Sequence, residues 1–151
     1  SQLSRGAGME MRLLAATPDV ELLIAVAMLT TSSDETPADI YVALKGNEKR
    51  VHKLLKRLIL KHGSVLEHNR LVFLAEADED EVLALLLAHR FFEVSRLEER
   101  KWLLSCNLRT VLEALMGEGR ERLPEGVREA LTKALEQVAP RLHERVMGRG
   151  G

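Results

Sequence analysis

Four short runs of apolar and β-prone residues alternate with longer helical segments, and this order strongly constrains the fold. The first two runs, Met11–Ala16 and Leu71–Glu76, are separated by several helical segments. The last two, Phe91–Leu97 and Trp102–Cys106, lie close together and predict a hairpin with the four-residue connection 98–101. The order predicts an α+β domain in which helices pack on a small, mostly antiparallel sheet.

Capping residues and prolines predict where the helices begin. A short polar side chain can accept a hydrogen bond from the first turn, and proline fits the first helical position. We therefore expect helices to start at Thr17-Pro18, Thr36-Pro37, Asn47, Asp78, Asn107 and Pro124. The first helix, Val20–Leu29, is almost wholly apolar and should be buried on most sides. Pro140 should break the last helix after Ala139.

The composition predicts an aliphatic core and a nearly neutral surface. Hydrophobic residues make up 46% of the chain but aromatic residues only 3%, and the formal net charge is −1. This balance argues against a dedicated nucleic-acid-binding domain. The single cysteine, Cys106, has apolar neighbours and reads as an inert buried thiol in a cytoplasmic protein. No apolar run approaches the roughly 20 residues of a membrane span.

The ends of the chain and one internal segment differ in composition from the rest. We expect residues 1–8 to be a tag remnant, residues 9–147 to form one domain and residues 148–151 to be a disordered tail. The polar segment 118–122 reads as a linker before the helix that Pro124 opens.

Two polar features are candidates for a functional site. The stretch 62–68 places histidines, a serine and a glutamate between a helix and a strand, where a ligand can reach the backbone. The plainer interpretation is a set of capping and surface groups. A basic stripe, consisting of Arg50, Lys53, Arg57 and Lys61, fits either a phosphate or nucleic-acid surface or the solvated face of an amphipathic helix. The histidines are too scattered to predict a metal site.

The stretch 62–68 resembles the flavin-binding turn of the flavin-dependent thymidylate synthase family. The matching residues are His62, Ser64, Glu67 and His68, which follow the order His-x-Ser/Thr-x-x-Glu-His and precede a short strand, as in the family. Asn107-Leu108-Arg109 is similar to the family's Asn-x-Arg at a helix start. The closing helix, with Arg128 and Ala139-Pro140, also looks like the family's end.

Ala88-His89-Arg90 resembles the family's Arg-His-Arg signature but departs from it. Alanine replaces the first arginine, and Glu98 stands where the family has a serine. In the family, the segment before Asn-x-Arg binds the nucleotide. Here this segment is reduced to a short hairpin.

The resemblance implies the family's fold and a set of ligands. In the family, reduced FAD passes hydride to a methylene group that tetrahydrofolate donates to deoxyuridylate, and NADPH reduces the flavin. By resemblance, the FAD-binding residues are His62, Ser64, Glu67, His89, Arg90, Asn107 and Arg109, whereas Arg128 meets the nucleotide phosphate. No side chain is implied as a covalent catalyst or metal ligand. The family's tetramers imply a homo-oligomer, either a tetramer or a dimer.

The departures leave three hypotheses. The first is a divergent family member that binds FAD. Methyl transfer to deoxyuridylate is not expected of it, and only an active enzyme would use NADPH and methylenetetrahydrofolate. The second is a non-catalytic oligomeric module with a binding or regulatory role. The third is nucleic-acid binding through the basic helix, which the balanced charge and the few aromatic residues oppose.

Overall fold

The protein has an α+β architecture with one four-stranded antiparallel sheet, as the order of apolar runs predicts. A computed structural model describes residues 8–117 and 123–150, apart from the side chains at positions 61, 62, 149 and 150. Within these residues the strand order is β1-β2-β4-β3, with every neighbouring pair antiparallel. The strands are β1 (Glu10–Ala16), β2 (Leu71–Glu76), β3 (Glu93–Glu98) and β4 (Lys101–Cys106).

Seven α-helices and one 3₁₀ helix surround the described part of the sheet. Asn47 and Asn107 cap the helices that follow them, as expected, and Pro140 begins a separate last helix. The 3₁₀ helix spans Leu60–Glu67. The α-helices are α1 (Val20–Thr30), α2 (Pro37–Leu44), α3 (Glu48–Arg57), α4 (Glu79–Ala88), α5 (Leu108–Met116), α6 (Glu125–Val138) and α7 (Pro140–Gly150).

One face of the sheet forms the centre of the core. Successive side chains of a strand point to opposite faces, so every second residue of β2 and β4 is buried. The register places Phe73 opposite Leu104 and Ala75 opposite Trp102, and all four are buried. Helix α6 packs across β1 at Gly126, where no Cβ separates the helix from the strand. The core is built mainly from aliphatic side chains, as the composition predicts.

Helix α1 has no exposed residue: Val20, Ile24 and Ala25 are buried, and its other eight residues are partly buried. The helix is therefore covered along its length by its own chain, although less deeply than its apolar sequence predicts. A second apolar cluster, in which Ala25 meets Ile40, Leu44 and Leu54, covers one side of α1 with α2 and α3. On another side, the Glu21 carboxylate accepts hydrogen bonds from the backbone N–H groups of Arg141 (2.9 Å) and Leu142 (3.2 Å). Glu21 thereby caps the start of α7 from a distant part of the sequence.

The start of α1 was predicted incorrectly. Thr17 does not cap the helix, because it extends the pairing of β1 with β2. Its N–H donates to the Arg70 carbonyl, and its hydroxyl accepts from the Arg70 N–H, both at 2.9 Å. The helix begins after Asp19, which has a φ of 53° in the left-handed region and makes no side-chain cap.

The predicted hairpin forms, but its connection is shorter than expected. Glu98 pairs with Lys101, so only Glu99 and Arg100 make the turn. The turn is anchored to the end of β2, since the Arg100 carbonyl accepts a hydrogen bond from Ala77 N–H at 3.0 Å. No glycine marks this turn in the sequence, so the length of the connection was predicted incorrectly.

The segment that follows α3 also differs from the prediction. An apolar stripe in the sequence predicts that this helix continues through Ile59; the stripe consists of Val51, Leu54, Leu55, Leu58 and Ile59. In the structure, α3 ends at Arg57 and Ile59 is exposed. The chain then forms the 3₁₀ helix instead of the expected turn at 62–68. The apolar periodicity of the sequence does not reveal the end of the helix, because Leu58 remains buried and continues the apolar pattern.

At the carboxyl end, α7 continues to Gly150, whereas a disordered tail was expected from residue 148. Residues 1–7 of the expected tag segment 1–8 lie outside the described residues, as do the linker at 118–122 and residue 151.

Candidate functional site

The 3₁₀ helix is held against the start of α5 by one buried side chain, Asn69. Its amide nitrogen donates to the Leu66 carbonyl at 2.8 Å, and its amide oxygen accepts from the Leu108 N–H at 2.7 Å. Gly63 lies in the same 3₁₀ helix and faces both elements, since a Cβ there would lie 2.9 Å from Leu66 Cδ1 and 3.8 Å from Arg109 Cγ. These contacts bring the end of the 3₁₀ helix next to the first turn of α5.

Asn107 orients that first turn as an N-cap. Its Oδ1 accepts hydrogen bonds from the backbone N–H of Thr110 (3.0 Å) and from the Thr110 hydroxyl (3.3 Å). The cap satisfies a helix N–H that has no partner within the helix. In this structure, Asn107 therefore positions Arg109, the second residue of α5.

Arg109 joins two carboxylates at the junction of the 3₁₀ helix and α5. Its Nη1 donates to Glu67 at 2.5 Å, and its Nε donates to Glu113 at 3.1 Å. The hydrogen bond to Glu67 is the main reason that the pKa of Arg109 is raised above its ordinary value. Within the described residues, Nη2 makes no hydrogen bond and remains available as a donor.

A cleft of about 350 Å³ opens beside this guanidinium group. Ligand sites in proteins span roughly 300–1,000 Å³, so the cleft has room for one ring system rather than for a whole dinucleotide. Its walls combine apolar side chains with a cation and an anion. The lining residues are Leu60, Leu66, Arg109, Leu112, Glu113, Met116 and Gly117.

Two larger depressions lie elsewhere on the described surface. One, of about 420 Å³, lies between α1 and the start of α7, and another, of about 400 Å³, lies between β1 and α6. Of the residues that carry the resemblance, only Pro140 borders the first of these depressions, and none borders the second. The smaller cleft is the better candidate because the charged motif side chain Arg109 borders its apolar lining.

His89 adds a titratable group near this cluster. It is half-buried at the end of α4, where its ring meets the Phe92 ring edge-on with 6.3 Å between centroids. Burial lowers the pKa of His89 below its ordinary value of 6.5, while the negative charge of Glu113 acts in the opposite direction. The structure thus joins Glu67 and Arg109, from two of the motifs, by a hydrogen bond, whereas His89 of the third motif is linked to them only through the charge of Glu113.

The other predicted site residues do not join this cluster through any described contact. Ser64 and Arg90 are exposed, and neither side chain has a hydrogen bond or ion pair with another described residue. Arg128 lies on α6 and does not line the cleft. The side chain of His62 lies outside the described part of the chain.

Sequence reasoning missed two residues of the site. Glu113 lies four positions after Arg109, and this i,i+4 spacing on a predicted helix was a usable signal for an ion pair. Asn69 gave no such signal, because its two partners come from different elements and are both backbone atoms.

The structure also shows where the single cysteine and the basic stripe lie. Cys106 is fully buried, as predicted, and burial raises the pKa of its thiol to about 12. The described members of the basic stripe, Arg50, Lys53 and Arg57, are all exposed, as either interpretation of that stripe requires. Residues 8–117 and 123–150 contain no cluster of three or more side chains suited to a metal ion.

The same residues contain no helix that is long and apolar enough to span a membrane.

Two comparisons with known proteins identify no relative. No protein-family model matches the sequence, and a search of curated proteins finds no significant match.

Proposed function

We propose that this chain is a divergent relative of the flavin-dependent thymidylate synthases and binds FAD at the cleft between the 3₁₀ helix and α5. The observation that carries the proposal is the hydrogen bond between Glu67 and Arg109, which are 42 residues apart in sequence. These residues belong to two separate motifs of the resemblance. A chance match of two short patterns gives no reason for them to meet beside a cleft.

The chemistry of the cleft suits part of a flavin. A flavin ring has a flat apolar surface and a polar edge that accepts hydrogen bonds. The leucine and methionine side chains offer the apolar contact, and Arg109 Nη2 offers a charge-assisted donor. The two carboxylates orient the guanidinium group, which reduces the entropy that binding would otherwise cost.

The proposal does not include methyl transfer to deoxyuridylate. Ala88 removes one of the paired arginines, and the two-residue hairpin turn leaves no room for the family's nucleotide-gripping segment. Loss of a charge-assisted contact to a phosphate costs about 1.5–3 kcal/mol. We therefore propose a cytoplasmic flavin-binding protein without thymidylate synthase activity, which would use neither NADPH nor methylenetetrahydrofolate for that reaction.

The direct test is a titration of the purified protein with FAD, followed by flavin fluorescence and by the melting temperature. A ligand that binds only the native state raises stability by about 2.7 kcal/mol at a hundredfold excess over its Kd. Arg109→Ala should weaken binding roughly tenfold to hundredfold, because it removes a charge-assisted hydrogen bond. Met116→Trp should block binding by filling the cleft.

Arg57→Ala is the matched control, since Arg57 is an exposed arginine that does not line the cleft. Circular dichroism of each variant separates a change in the site from a loss of folding. If the wild-type protein neither binds FAD nor changes its melting temperature, the proposal is wrong. Equal affinities for the Arg109 and Arg57 variants would refute the location of the site.

A further inference from the structure

Helix α3 buries its apolar side in the core and presents a face of cations to the solvent. Leu54 and Leu55 are buried, and the single acidic residue of the helix is Glu48, at its first position. Five cations on the opposite side are all exposed, and none has an ion pair with another described residue. This basic face consists of Lys49, Arg50, Lys53, Lys56 and Arg57.

The charge pattern of α3 differs from that of other helices of the chain. On α5 and α6, a cation lies four positions from a carboxylate and pairs with it, as Arg109 does with Glu113 and Lys133 with Glu129. On α3, by contrast, the positions three and four residues away from Lys53 in both directions are all cations. Like charges at these spacings destabilise a helix. The basic face is therefore not needed for the stability of α3.

The helix dipole explains only part of this pattern. Cations are favourable near the carboxyl end of a helix, where Lys56 and Arg57 lie. Lys49 and Arg50 lie in the first turn, where the dipole disfavours positive charge. These two cations give α3 no electrostatic stabilisation within the described chain, so they point to a negatively charged partner.

The five cations form a crest and two flanks. Successive residues of an α-helix are about 100° apart, which places Lys53 on the crest, nearly opposite the buried leucines. Lys49 and Lys56 then lie on one flank, and Arg50 and Arg57 lie on the other. The two residues of each flank are seven positions apart, which corresponds to about 10 Å along the helix axis.

The end of α3 is fixed to the rest of the chain. Arg145 Nη1 donates to the carbonyl oxygens of Leu55 (2.8 Å) and Leu58 (2.7 Å). The core contacts of the helix and this anchor hold its backbone in place. A partner therefore meets a surface that is already ordered, which reduces the entropy that binding would cost.

We propose that α3 binds duplex DNA, with its basic face in the major groove and one flank directed at the phosphates of each strand. The major groove is about 12 Å wide and admits an α-helix. Phosphates border the groove on both sides, as the two flanks require. Because α3 contains no phenylalanine, tyrosine or tryptophan, binding depends on phosphates and not on base stacking.

The balanced composition of the chain does not oppose this proposal. The net charge of −1 is a sum over all residues, whereas α3 has five cations and one carboxylate. The rest of the chain is therefore net acidic, and the positive charge is concentrated on one helix. The proposal is independent of flavin binding, since none of the five cations lines the cleft.

A membrane surface fits the basic face less well. A helix that binds at a membrane places its apolar face in the lipid, but the apolar face of α3 is buried in the core. A flat anionic surface would also meet the crest first, and the two flanks would point to the sides. The arrangement of the cations thus favours a groove.

The test is a titration of fluorescently labelled duplex DNA with the full chain, followed by fluorescence anisotropy at several salt concentrations. The wild-type protein should bind with a Kd of roughly 1–100 μM at physiological salt. Four phosphate contacts predict that the logarithm of the association constant falls with the logarithm of salt concentration with a slope of about −3.6. A second duplex of unrelated sequence should bind equally well.

Lys49→Gln combined with Arg50→Gln should weaken binding at least tenfold at low salt and change the slope to about −1.8. The melting temperature of this variant should not fall, because both cations are unfavourable in the first turn. Arg12→Gln combined with Lys133→Gln is the control. It changes the net charge equally at two exposed positions on β1 and α6 and should leave DNA binding unchanged.

The proposal is overturned if the wild-type protein does not bind duplex DNA at low salt. It is also overturned if the two double variants bind DNA equally well. A single strand of the same sequence should bind at least several-fold more weakly, since it offers phosphates to one flank, and equal affinity would refute the position in the groove. Binding to vesicles containing phosphatidylserine but not to duplex DNA would show that the partner is a membrane surface.

Discussion

The side chain of Asn69 joins the backbone of Leu66 to the backbone of Leu108, with a donor–acceptor distance of 2.7 Å to Leu108 N. Asn69 is buried, and each of its two bonds satisfies a backbone group at the end of an element. The position of Glu67 relative to Arg109 therefore depends on a residue that touches neither the cleft nor the ion pair.

Asn69→Ala should be strongly destabilising. The substitution leaves a buried N–H and a buried carbonyl without partners, and each unsatisfied group costs about 1–3 kcal/mol. We expect a loss of roughly 2–4 kcal/mol in the free energy of unfolding, measured by urea denaturation. Asn47→Ala removes an exposed N-cap that accepts from Arg50 N–H at 3.2 Å, and it should cost only about 1 kcal/mol. If the two variants lost equal free energy of unfolding, the two buried hydrogen bonds of Asn69 would contribute no more than an exposed N-cap.

Gly126 is required for the contact between α6 and β1. A Cβ at this position would lie 2.3 Å from the Met9 carbonyl oxygen, and both groups belong to the backbone. Neither can rotate away, so Gly126→Ala must displace the helix from the strand. We expect a loss of at least about 2 kcal/mol, visible as a lower melting temperature.

Gly148→Ala is the matched comparison, since Gly148 is also helical but has no atom within 4 Å of its Cβ position. Alanine there should be neutral or should stabilise by up to about 1 kcal/mol, because glycine loses more backbone entropy on folding. A neutral Gly126→Ala would contradict the close approach of α6 to β1.

His89 should make stability depend on pH in the mildly acidic range. Its folded pKa is lowered from the ordinary value of 6.5 by burial, so the unfolded chain binds the proton more readily. Stability is therefore highest above the unfolded pKa and falls as the pH decreases through the window between the two values. The imidazole signal of His89 in NMR should titrate below 6.5.

Comparison with His89→Gln isolates this contribution. Between about pH 7.5 and about pH 5.5, the wild-type protein should lose more stability than the variant. The pKa of Glu21 is raised by burial, so its contribution to stability falls as the pH rises, and it is common to both proteins. If both proteins lose the same stability, His89 does not titrate with a lowered pKa in the folded state.

Much of the local structure could be predicted from short-range patterns. The bounds of β2 were correct because six consecutive residues favour a strand. The caps at Asn47 and Asn107 were correct because an N-cap interacts only with its own helix. The start of α1 was wrong because the Thr17 hydroxyl has a distant partner at Arg70, and the end of α3 was wrong because the apolar pattern continues past it.

The residues of the candidate site were partly predictable from the sequence, but the contacts between them were not. Sequence patterns singled out Glu67, His89 and Arg109 and could have found Glu113, because each lies in a motif or at a helical spacing from one. Their meeting depends on Asn69 and on the packing of the 3₁₀ helix against α5, which no local pattern records. The exposure of apolar helix faces also depended on packing, since α1 and α4 are both apolar but only α4 has exposed leucines.

The sequence by itself determined the α+β class, the aliphatic core and most helix starts, because these depend on periodicity and on capping within a few residues. Only the tertiary structure decided that α1 is covered by α2 and α3 while α4 keeps an exposed apolar face. It also decided that residues 42 positions apart form the ion pair at the cleft. Burial and long-range pairing depend on how elements pack, and that geometry is a property of the whole chain.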